Sequence, residues 1–114
     1  MLVHDKAHEL ARALADSKEY KEYKKAHEKI KQDPKALEML EDFRKKQLEV
    51  QAAQLAGQPV EEKSKQLENL FQVINYNQLI REFLTAEARF LTLIADVQKI
   101  IGKAVEIDIT PQSH

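Results

Sequence analysis

The longest unbroken apolar pattern in the chain covers residues 79–101. With Ile80 set at heptad position a, that position repeats as Ile80, Glu87, Ile94 and Ile101, and position d holds Phe83, Phe90 and Val97. Position e adds Leu84 and Leu91, and position g adds Leu79, Ala86, Leu93 and Ile100. Arg81, Glu82, Thr85, Arg89, Thr92, Asp96 and Lys99 are confined to b, c and f. An apolar arc this wide exceeds a single coiled-coil seam and suits a helix packed against several neighbours. At 1.5 Å per residue the helix is roughly 35 Å long. A compact domain of this size has a radius of gyration of only about 13 Å. The helix is thus expected to cross the whole domain, and part of its arc calls for a partner chain.

Four shorter amphipathic stretches precede it. Leu2, Ala7, Leu10, Ala11 and Leu14 share one face of a first helix over residues 2–15. Asp16 followed by Glu19 resembles a capping box, so a second helix begins almost without a loop. Its stripe is Tyr20, Tyr23, His27 and Ile30. Asp33 and Pro34 break the pattern and start a third helix, because Asp caps well and Pro at the first helical position gives up no hydrogen bond. That helix carries Leu37, Leu40, Phe43, then Gln47 or Leu48, Val50 or Gln51, and Leu55; Gly57 is the natural residue after its last turn. A fourth helix opens at Pro59 with Val60, Ser64, Leu67, Phe71 and Ile74 on one side. Asn75, Tyr76 and Asn77 form a turn in which either Asn can cap the long helix, and Gly102 is expected to stop it. Beyond, Val105, Glu106, Ile107, Asp108 and Ile109 alternate apolar and acidic residues as an extended segment does. The prediction is an all-α antiparallel bundle of about five helices, with a single helical domain over residues 1–102 and a partly extended tail over residues 103–114.

Composition narrows the chemistry. Only two glycines and three prolines occur in 114 residues, which leaves little room for long loops or sheet. There is no Cys, so disulfides, thiolate metal sites and Cys nucleophiles are excluded. The formal net charge of -1 offers no general attraction to nucleic acid or to an anionic membrane. No apolar run reaches the length of a membrane span, and the N-terminus lacks the apolar stretch of a signal peptide. These readings place the chain in the cytoplasm, without membrane insertion or direct nucleic-acid contact.

Few residues invite a catalytic reading. His4 and His8 lie one turn apart, but a stable zinc site needs further ligands of fixed geometry. His27, on one stripe with Tyr20 and Tyr23, reads as a core histidine. Lys18, Lys21, Lys25 and Lys29 are interleaved with Glu19, Glu22 and Glu28, which reads as a solvated face. Gln47, Gln51 and Gln54 form a polar patch. Glu87 is the sharpest anomaly, a carboxylate at position a of the most apolar helix. It is costly there unless paired, with Arg44, Arg81 or another chain as candidates.

The succession His8-Glu-Leu-Ala11, Ser17-Lys-Glu-Tyr20, Asp33-Pro34, Phe43-Arg-Lys-Lys-Gln47, Gln51, Gly57 and the helix around Ala86 and Glu87 resembles the YheA-like proteins of the YlbF/YmcA superfamily, small helical proteins of bacteria. The resemblance extends to about Gly102. It implies an all-helical fold that forms intertwined homodimers or larger assemblies. Relatives in that superfamily act in a multiprotein complex affecting competence, sporulation, biofilm formation and RNA processing. Some carry C-terminal cysteines linked to iron–sulfur binding, a property that a chain without Cys does not inherit.

Two functions are weighed. The first is a non-enzymatic, regulatory interaction or adaptor protein that pairs with itself and with other proteins of the superfamily, using no cofactor, metal or catalytic residue. Its expected interface is Phe83, Glu87, Phe90, Ile94, Val97 and Ile101. The second is a ligand-binding or catalytic bundle built on Glu87 and His27. The first is preferred, because helix bundles hold catalytic groups only where several converge inward.

Overall fold

A computed structural model describes residues 2–106 of the chain. Five α-helices follow one another: α1 (Leu2–Ala15), α2 (Lys18–Lys31), α3 (Pro34–Leu55), α4 (Glu61–Ile74) and α5 (Gln78–Val105). The described residues contain no strand, so the all-α prediction holds. By its contacts the chain divides into two compact units, residues 26–84 and the pair of segments 1–25 and 85–114. Helices α2 and α5 contribute residues to both.

The unit of residues 26–84 has a closed apolar core. Ile30 of α2, Ala36, Leu40, Phe43, Val50 and Ala53 of α3, Ile74 of α4, and Ile80 and Phe83 of α5 are all buried. Helices α3 and α4 pack together, with the rings of Phe43 and Phe71 at 5.7 Å. Their turn is a Schellman motif. Gly57 takes φ 70, its N–H donates to the Gln54 carbonyl, and the Gln58 N–H donates to the Ala53 carbonyl. The Asp33 carboxylate accepts from the Ala36 N–H at 3.1 Å and Pro34 opens α3, as expected. Asn77 caps α5 through the Ile80 N–H at 3.1 Å.

Several expectations are corrected. The register of α3 follows Ala36, Leu40, Phe43, Val50 and Ala53, which places Leu48, Leu55, Gln47 and Gln51 on exposed positions. Two small alanines define the buried stripe, and a search for large apolar residues misses them. Helix α4 starts at Glu61, with Val60 at the cap position and no side-chain cap. Helix α2 is capped by Ser17 instead of Asp16: its hydroxyl accepts from the Tyr20 N–H at 3.1 Å and donates to the Leu14 carbonyl at 2.6 Å. Gly102 does not stop α5, which continues to Val105. Gly102 is buried inside the helix. Glycine there costs only about 1 kcal/mol of helix propensity relative to alanine. The left-handed residue that ends the helix is Glu106, at φ 56. Val105 is therefore helical, and the remainder of the expected extended tail, residues 107–109, lies outside the described residues.

The unit of residues 1–25 and 85–114 is built differently. Helix α1 has no buried residue, and Leu10 and Leu14 of its predicted face are only half-buried. Among the described residues of this unit only Ala86 and Gly102 are buried. The rings of Tyr20 and Tyr23 close over Phe90, at 5.2 and 5.7 Å.

Candidate interaction surface

The C-terminal half of α5 supplies the candidate site. Its helical spacing repeats apolar side chains on two adjacent faces, and the N-terminal part of the same arc is consumed by packing: Ile80, Phe83 and Ala86 are buried. Further along, Phe90, Leu93, Ile94 and Val97 are only half-buried, while Leu91, Ile101 and Val105 are exposed and Ile100 is 69% exposed. Leu2 and Val3 of α1, in the same unit, are also exposed. Apolar side chains left partly or fully open over four turns of one helix are the kind of surface that marks an association site. Arg89, Asp96, Lys99 and Lys103 border it and supply a polar rim.

The sequence-derived interface residues fall into three groups. Phe83 is 3% exposed and filled by contacts within the chain, with the His27 ring 5.8 Å away and the Arg44 guanidinium 5.6 Å above its face. Glu87, Phe90, Ile94 and Val97 are half-buried, and Ile101 is exposed. Sequence reasoning passes over Leu91 and Val105 as anchors, because a heptad read from Ile80 assigns the first to a flanking position and Gly102 is expected to end the helix before the second.

Glu87 is half-buried, so the full burial expected of it does not occur; no polar or charged residue is buried among the described residues. Arg81, one of its proposed partners, donates from Nη1 to the Asn75 carbonyl at 2.8 Å, at the C-terminus of α4. His27 packs against Phe83, and Tyr20 and Tyr23 against Phe90, in the two different units. His4 and His8 are exposed on α1, and no three His, Asp or Glu residues gather as metal ligands among the described residues. In the lysine-rich α2, Lys18 reaches Glu22 at 3.8 Å and Arg89 approaches the same carboxylate at 3.8 Å. Among the described residues no helix is long and apolar enough to cross a membrane.

Comparison with known proteins agrees with this architecture. A UPF0342 protein of Symbiobacterium thermophilum is 47% identical over 108 residues, covering 94% of this chain and 96% of the relative. One from Clostridium tetani is 37% identical over 114 residues, covering 99% and 98%. The fold matches that of a protein of unknown function (DUF964) from Bacillus stearothermophilus, with a TM-score of 0.82 at 24% identity, over 93% of this chain and 94% of that one. Residues 3–106 match the family described as control of competence regulator ComK, YlbF/YmcA, and the chain belongs to that family.

Proposed function

We propose that the chain is a non-enzymatic, cytoplasmic interaction protein that works as a homodimer or larger homo-oligomer and regulates through protein contacts. The observation that carries this reading is the open apolar face of α5 from Leu91 to Val105, with Ile100 at 69% exposure. Full burial of such side chains is worth about 1.5–3 kcal/mol each, and a two-fold interface uses every one twice. A few pairs therefore suffice to hold two copies together. The family's description, control of a competence regulator, supports a role exercised on other proteins.

Sedimentation equilibrium at low micromolar concentration tests the reading. The wild type is expected to sediment as a dimer or larger. Ile94→Asp or Ile100→Asp places a carboxylate into the interface and is expected to shift the association constant by at least about 100-fold, equivalent to roughly 2.7 kcal/mol. A stable wild-type monomer that does not aggregate overturns the proposal.

A further inference from the structure

A second surface precedes the open half of α5 in sequence and belongs wholly to the unit of residues 26–84. At the corner between α4 and α5, Gln72, Val73, Asn75, Tyr76 and Arg81 line a cleft of about 530 Å³. Residues 69–80 contain no Asp, Glu, Lys, Arg or His, in a chain where 32% of residues are charged. Tyr76 is 90% exposed and Val73 is exposed beside it. Among the described residues of the lining Arg81 supplies the single charge, and its bond to the Asn75 carbonyl holds the guanidinium at the cleft edge. Tyr and Arg in a charge-depleted setting are the residue types that dominate binding energy at protein interfaces. One fixed cation among apolar and amide groups asks for an occupant with a carboxylate next to apolar side chains. Arg favours that partner because its planar fork matches a carboxylate.

The chain itself carries such a segment. Val105, Glu106, Ile107, Asp108 and Ile109 place two carboxylates between three branched aliphatic side chains. Covalent reach excludes the tail of the same molecule. From Arg81 to Val105 the helix rises about 36 Å. Asp108 is three residues past the end of α5, within about 11 Å of it even when fully extended. We infer that the α4–α5 corner receives the acidic C-terminal segment, residues 105–109, of a second copy of this chain, with Arg81 pairing a carboxylate and Val73 and Tyr76 covering the aliphatic side chains. The contact shares only Val105 with the open face of α5, and its test does not depend on that face.

Fluorescence anisotropy of a labelled synthetic peptide of residues 105–114, titrated with the full-length chain, tests the inference. Saturable binding is expected, weakened at least about tenfold by Arg81→Glu and by Tyr76→Ala. Tyr76 is so exposed that its truncation leaves the fold intact, which keeps the result readable if Arg81→Glu loses helicity. The peptide with Glu106→Lys and Asp108→Lys is expected to lose the wild-type chain and to regain binding to Arg81→Glu. No saturable binding up to about 1 mM, a standard-state affinity too weak to matter, overturns the inference. So does binding indifferent to both substitutions. Equal binding of a scrambled peptide overturns the assignment of a second copy and leaves a cleft for acidic segments of other proteins. Repeating the titration with Ile94→Asp separates the two surfaces: dissociation through α5 leaves peptide binding unchanged.

Discussion

The two units of this chain solve the same packing problem to different degrees. Residues 26–84 draw on four helices and bury nine apolar side chains, from Ile30 to Phe83. The other unit contains the most apolar stretch of the sequence, yet among its described residues only Ala86 and Gly102 are buried. Sequence hydrophobicity alone predicts the reverse. What differs is the supply of neighbours. Helix α3 and helix α4 lie entirely within the first unit, where Phe83 at the start of α5 is packed by His27 of α2 and Arg44 of α3, whereas the described residues of the second unit come from α1, the beginning of α2 and the rest of α5. Helix α1, with no buried residue, contributes little cover. A core that closes within one chain bears on stability, and the apolar arc that stays open is the one on which the proposed association rests.

The strongest way to break this contrast is to truncate each side. Phe83→Ala removes a ring that is 3% exposed and is expected to cost about 3–5 kcal/mol in urea denaturation. The loss should be the same at low and high protein concentration. Ile100→Ala is expected to cost under about 0.5 kcal/mol in the dissociated chain, as surface substitutions do, and more only where copies associate. A cost of several kcal/mol for Ile100→Ala in a chain shown to be monomeric would mean that the second unit closes its own core, and the contrast would be gone.

How far the sequence reveals this depends on what a residue's neighbours add. Helix α1 runs from Leu2 to Ala15 as its pattern predicts, and Asp33 with Pro34 and Gly57 mark the ends of α3, because caps act locally and one residue type suffices. The stripe of α2 is equally legible in Tyr20, Tyr23, His27 and Ile30. The face of α3 is not, since Ala36 and Ala53 bury by fitting against neighbours that the sequence does not display, while Leu55, the larger side chain, is left 86% exposed. Gly102 misleads as well: glycine is the commonest residue just past a helix end, yet here it is buried within α5, which runs on to Val105. The candidate surface was legible as an excess of apolar positions on α5. Its boundary was not, because which part of the arc remains open depends on neighbours that the sequence does not display.

Capping sharpens the contrast at smaller energies. Ser17 caps α2 in the sparsely buried unit, and Asp33 caps α3 in the well-packed one. Replacing either by alanine removes the capping hydrogen bond, and for Ser17 also the bond it donates to the Leu14 carbonyl, and is expected to cost about 1 kcal/mol. The two losses should appear differently in hydrogen exchange. Asp33→Ala starts a helix whose next turns bury Ala36 and Leu40, so its cost is expected across the slowest amides of that unit. Ser17→Ala loosens a helix start with only half-buried neighbours, so faster exchange is expected to stay near Tyr20. Uniform acceleration from Ser17→Ala would show that its surroundings are as cooperative as the core of residues 26–84.

The smallest effect decides what holds α2 to α5 in the weaker unit. Two kinds of contact meet there. The Glu22 carboxylate lies 3.8 Å from Arg89 and 3.8 Å from Lys18, with its side chain 40% exposed and that of Arg89 65% exposed. Beside it, Phe90 packs on Tyr20 and Tyr23. The ion pair is long, shared between two cations and wet, so water and salt screen most of its attraction. A double-mutant cycle with Glu22→Gln and Arg89→Gln is expected to give a coupling below about 0.5 kcal/mol that fades at about 1 M salt. The ring contacts lose no comparable attraction to salt, and aromatic pairs are worth about 0.5–1.5 kcal/mol beyond the area they bury. Phe90→Leu keeps an apolar side chain while removing the ring, so it isolates that contribution and is expected to exceed the ionic coupling at every salt concentration. A coupling above about 1 kcal/mol between Glu22 and Arg89 would reverse this order. It would mean that charge, in place of apolar contact, holds the unit whose apolar face stands open.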